Sequence, residues 1–78
     1  MTNIQPRTID SIPVARTTGA DHYFGVTADE CYRTFGADCD MNDVRAGNIQ
    51  TICRTDATRT LADYDAATDR FSVTVYCE

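Results

Sequence analysis

Four cysteines, one histidine and twelve carboxylates are the side chains in this 78-residue chain whose types could do chemistry. Cys31, Cys39, Cys53 and Cys77 are separated by seven, thirteen and twenty-three residues, which admits three readings. Two disulfides could form in any of three connectivities, but such bonds belong to oxidising compartments. A zinc site needs four closely arranged nitrogen or sulfur ligands; there is no C-x-x-C pair, and His22 is the one histidine. Thiols can also serve as small buried hydrophobes, since free cysteine is among the most buried residue types. The expectation is four reduced thiols and no metal or other cofactor. Cys77, one residue from the C-terminus, is the thiol best placed to react or pair.

Nucleophilic catalysis would need His22 beside a cysteine, and nothing in the spacing brings them together. No nucleophile elbow, phosphate-binding loop or dinucleotide fingerprint occurs. Paired carboxylates such as Asp38/Asp40 and Asp63/Asp65 could do acid–base work only inside a pocket that shifts their pKa. A 78-residue domain buries only about 60% of its unfolded surface and has little room for one. The chain is therefore expected not to be an enzyme.

The elements that must position these groups are legible in part. Residues 1–8 contain Pro6 and read as an extended arm. Ile9, Ile12 and Val14 surround Pro13, which restricts that stretch to an edge strand. After the turn cluster of residues 17–21, residues 22–26 are short, aromatic and β-prone, so an N-terminal hairpin is predicted. Thr27-Ala28-Asp29-Glu30 is a capping box. Ala28, Cys31, Tyr32 and Phe35 then recur at helical spacing, and Gly36 suits the helix end. This predicts a helix over 28–35 with an apolar stripe packed on a sheet. Asp40 and Gly47 bracket a second short helix over 41–46. Strands are predicted over 48–54, 58–64 and 70–77, with Leu61 and Tyr64 as the main apolar content of the middle one. In the last, Phe71, Val73, Val75 and Cys77 share one face, and Ser72, Thr74 and Tyr76 the other. The fold class is α+β: a small antiparallel sheet, made of a C-terminal three-stranded meander and an N-terminal hairpin, packed against one main helix in a single domain, 1–78.

Charge carries the functional signal. Twelve acids oppose seven arginines for a net charge of −5, and there is no lysine. Such a chain repels phosphate backbones, so direct binding of nucleic acid is disfavoured. Residues 37–78 hold eight of the acids and four arginines. Asp38, Asp40 and Asp43 form one cluster; Asp56, Asp63, Asp65 and Asp69 form a second around the C-terminal hairpin. Both fall in or near loops, where side chains can face a partner. Tyr64 and Tyr76 are the aromatic anchors expected beside them. Clustered carboxylates of this kind suit a basic groove on another protein; the ordinary alternative is a solubilising face. No apolar run is long enough for a secretory signal or a membrane span, so a cytoplasmic protein is expected.

A short, acidic, single-domain α+β chain without catalytic machinery resembles the small anti-CRISPR proteins of phages and mobile elements. The resemblance lies in size, charge and architecture. It implies a non-enzymatic, stoichiometric inhibitor that occupies the basic nucleic-acid groove of a type I CRISPR surveillance complex in a host bacterial cell and blocks DNA binding. Such an inhibitor is expected to act as a monomer or small homo-oligomer through Asp38, Asp40, Asp43, Asp56, Asp63, Tyr64, Asp65, Asp69 and Tyr76. A weaker resemblance covers the tail, Asp63-Tyr64-Asp65 with Asp69 to Val73 and Cys77, which looks like the closing segment of a small bacterial serine-protease inhibitor family. Residues 55–61 lack the Pro-Gly turn and apolar reactive loop of that family. A phage structural subunit, pairing through an edge strand, is the remaining alternative.

Overall fold

The computed structural model describes residues 7–77; most of the predicted N-terminal arm lies outside them. Residues Ile9–Ser11 form one 3-10 turn, and strand β1 (Val14–Thr17) follows Pro13. Next come β2 (Ala20–Val26), helices α1 (Ala28–Arg33) and α2 (Met41–Arg45), and strands β3 (Thr51–Arg54), β4 (Thr58–Asp65) and β5 (Arg70–Cys77). The five strands make one antiparallel sheet in the order β1-β2-β5-β4-β3. The N-terminal hairpin joins the C-terminal meander through β2 and β5, so the last strand of the chain is the central one. As expected after a proline, β1 lies at an edge.

The pleat decides which residues meet. Registers Tyr23↔Val73 and Ala62↔Val73 place these three on one face across β2, β5 and β4. Both helices cover that face. Tyr23, Val26, Ala62, Phe71 and Val73 from the sheet pack with Cys31, Met41 and Val44 from the helices, and Ile12 and Ile52 close the cluster. The other face carries His22, Leu61, Thr74 and Tyr76, and among the described residues no helix lies over it.

The Thr27 capping box is complete. Its hydroxyl accepts from the Glu30 N–H at 3.1 Å and the Glu30 carboxylate accepts from the Thr27 N–H at 2.9 Å. The same carboxylate takes two bonds from the Arg7 guanidinium, both 2.7 Å, which ties the chain entry to the helix start. Glu30 is consequently buried, at 3% exposure.

Five local expectations need correction. Helix α1 stops at Arg33, where the Phe35 and Ala37 N–H groups turn back to the Glu30 and Cys31 carbonyls around Gly36 at φ +71°, and β3 begins only at Thr51. Tyr32 is 43% exposed and not part of the core stripe; its hydroxyl instead accepts from the Met41 N–H at 2.8 Å and links the two helices. Leu61 faces away from the helices, and the inward positions of β4 are Thr60, Ala62 and Tyr64. Cys77, in line with the core-facing residues of β5, extends past the helices and is exposed.

Candidate functional site

Helix α2 joins the two acidic clusters that are far apart in sequence. At its start, Asp40 Oδ1 accepts from the Asn42 N–H at 2.9 Å, an N-cap, and Asp43 lies in the first turn. The Asp38 N–H donates to the Ile52 carbonyl at 2.9 Å, pinning the irregular segment against the edge of β3. Half-buried Cys39 lies among these carboxylates. Burial raises its thiol pKa, and the negative charges of Asp38, Asp43 and Asp40 raise it further.

Arg45, at the other end of α2 and roughly 7 Å along its axis, reaches the β4–β5 turn. Its Nε pairs with Asp69 Oδ1 at 3.4 Å, and its guanidinium stands 5.8 Å from the Tyr64 ring centre and 5.4 Å from that of Phe71. The Tyr64 hydroxyl donates to Asp69 Oδ1 at 2.8 Å. That bond is the main reason the Asp69 carboxyl sits below its ordinary pKa and the Tyr64 hydroxyl above its own. Asp65 holds the turn itself, accepting from the Ala67 N–H at 3.0 Å and the Thr68 hydroxyl at 3.1 Å.

Six of the nine predicted interaction residues, Asp38, Asp40, Asp43, Tyr64, Asp65 and Asp69, therefore lie along α2 and the neighbouring turn. Asp63 projects from the uncovered face of β4, where its Oδ1 accepts from Gln50 Nε2 at 2.7 Å. Asp56 is in the β3–β4 turn, at the far end of an eight-residue strand from the rest of its predicted cluster; at the strand rise that is ~23 Å. Tyr76 occupies the sheet face opposite to Tyr64, beneath the Arg59 guanidinium at 5.3 Å. The two tyrosines cannot serve one flat surface, because strand parity puts them on opposite sides.

Ion pairing is uneven. Arg7 is paired with Glu30, Arg16 with Asp21, Arg33 with Asp29 and Arg45 with Asp69. Among the described residues, Asp38, Asp40, Asp43, Asp63 and Asp65 carry no ion pair. Arg45 is the residue that sequence reading missed. A cation in the last turn of a helix is a routine sequence feature, and its role as the bridge to Asp69 exists only in three dimensions.

His22 Nδ1 is 3.2 Å from the Thr74 hydroxyl on the uncovered face. Burial, with smaller contributions from Glu30 and Cys39, pushes the Cys31 thiol up to about 12. No group of three or more His, Cys, Asp or Glu side chains disposed to hold a metal occurs among the described residues. Residues 55–57 form a tight turn in which the Thr55 hydroxyl accepts from the N–H groups of Ala57 (3.2 Å) and Thr58 (2.9 Å). Among the described residues no helix is long and apolar enough to cross a membrane. Compared with known protein families, curated proteins and solved structures, the chain matches none.

Proposed function

We propose that this protein is a non-catalytic inhibitor whose acidic surface, along α2 and the β4–β5 turn, occupies the basic nucleic-acid groove of a type I CRISPR surveillance complex in a host bacterial cell. The observation that carries the reading is the set of carboxylates that have no ion pair among the described residues, Asp38, Asp40 and Asp43 around the start of α2 and Asp65 at the β4–β5 turn, in a chain of net charge −5. A groove lined with arginine and lysine to hold phosphates presents unpaired positive charge when empty. Carboxylates fixed on a folded surface can take the place of those phosphates.

The test is a pull-down and a DNA-binding competition with purified type I surveillance complex. Asp40 and Asp65 hold local structure, so Asp38→Arg/Asp43→Arg is the informative pair. The expected outcome is a loss of affinity of roughly tenfold or more with an unchanged melting temperature, and wild-type affinity that falls as salt rises. Binding that ignores both the reversal and the salt makes the acidic surface only a solvated face. A wild-type protein that binds no such complex ends the proposal.

A further inference from the structure

Strand β4 is eight residues long and its neighbour β3 only four. Their ladder ends at Thr51↔Leu61, with one more bond from the Ala62 N–H to the Gln50 carbonyl at 2.8 Å. There the chain leaves the sheet towards α2, and an open groove of about 670 Å³ remains, bordered by Gly47, Ile49, Gln50, Asp63 and Tyr64. Backbone polarity along a strand repeats every second residue. Since the Ala62 N–H points to the β3 side, the N–H and C=O of Tyr64 point the same way, into the groove. They have no backbone partner there among the described residues. The other sheet edges are better protected. β1 is four residues long and follows Pro13, and the Asp38 N–H already occupies the Ile52 carbonyl of β3.

The side chains along this open edge alternate in chemistry. On the uncovered face stands Asp63, whose Oδ2 accepts no hydrogen bond among the described residues, with Asp65 two positions further. On the helix face Tyr64 lies against the Arg45 guanidinium, so that side disfavours a cation. We infer that the open edge of β4 at residues 63–65 pairs with an extended segment of a partner protein that carries basic residues at alternate positions. The segment's backbone would bond to Tyr64, its basic side chains would face Asp63 and Asp65, and its uncharged ones would face the Tyr64 ring. This rests on the acidic-docking reading only for the sign of the partner's charge.

The probe is the capped peptide Val-Arg-Val-Arg-Val added to isotope-labelled protein, with amide shifts and hydrogen exchange followed by NMR. The expected result is slower exchange at the Tyr64 amide, loss of binding on N-methylating the peptide backbone, and roughly threefold to fivefold weaker binding by Asp63→Asn. Asp63 is exposed, so that variant should keep the wild-type spectrum elsewhere. A Tyr64 amide unaffected at saturating peptide overturns the inference. So does equal binding by a peptide with glutamate in place of arginine, or protection of the β1 amides instead. The surveillance complex plays no part in this experiment, so edge pairing can fail or succeed independently of the proposed target.

Discussion

The Glu30 carboxylate accepts four hydrogen bonds, three from Arg7 and one from the Thr27 N–H. A buried carboxylate is tolerated only when its charge is compensated, and here the Arg7 guanidinium and the Thr27 N–H do so. The Arg7 hydrogen bonds, opposed by burial, hold its carboxyl at about 2, against an ordinary 4.5. A depressed folded-state pKa stabilises the fold fully above the unfolded value and is lost as pH falls through the folded one. Acid unfolding should therefore show a stability loss between pH 4.5 and 2 that Glu30→Gln removes. At neutral pH that variant should be less stable by roughly 2–3 kcal/mol, a shift converted through the titration linkage and reduced for the partial exposure of Arg7. Urea melts across pH measure both. The thiols supply a second residue-level test. Exposed Cys77 should react first with a thiol reagent at neutral pH, Cys39 slowly against its carboxylates, and Cys31 only on unfolding. Mass spectrometry of the alkylated peptides reads the order; fast labelling of Cys31 would mean the helix–sheet contact opens readily.

At the scale of elements, short pieces are held by specific end structures. Helix α1 has six residues and α2 five, far below the length at which isolated helices persist in water. Thr27→Ala should cost about 1 kcal/mol, and chemical denaturation will show it. In β2 the pairing with β5 shifts between Tyr23 and Val26, where Gly25 adopts φ +65°. This bulge turns Phe24 outward to 46% exposure. It also presents the Gly25 carbonyl to Arg7 at 2.7 Å and Arg70 at 3.2 Å. Gly25→Ala meets open space, so its expected penalty of about 1–2 kcal/mol is purely conformational. An unchanged melting temperature would mean that the bulge relaxes without strain.

Across the whole molecule, a one-sided sheet makes the two faces unequal in energy. Phe71, fully buried between β2, β4 and the helices, anchors the covered face. Phe71→Ala is expected to cost about 3–5 kcal/mol, a large part of the stability of a chain this small. Leu61→Ala, on the uncovered face, should cost clearly less. Phe35 falls between them: it is half-buried and packs edge-on against Tyr23 with ring centres 5.0 Å apart. Equal losses for Phe71 and Leu61 in calorimetry would show that something covers the second face in solution. Charge is distributed over the same whole. The Arg45–Asp69 pair neutralises part of the acidic surface, while among the described residues Asp38, Asp40, Asp43 and Asp65 carry no ion pair.

Local rules made much of this legible in the residues themselves. The capping box announced α1, the Asp40–Gly47 bracket announced α2, and strict alternation announced β5, because each depends on neighbours within a turn or a pleat. The α+β class followed from their order. Strand order, helix burial and the geometry of the acidic residues did not follow. Tyr32 satisfies the helical period yet is exposed, because α1 packs on the core through Cys31 with Ala28 beside it. Leu61 is the largest aliphatic side chain of its strand, yet pairing with Val73 turns small Ala62 inward. Asp56 is near Asp63 in sequence but lies a strand length away, whereas Asp69 meets Arg45 across twenty-four positions. Composition determined how much charge the chain carries; only the packing of α2 on β4 and β5 decided which carboxylates share a surface, because long-range contacts depend on which face each element buries.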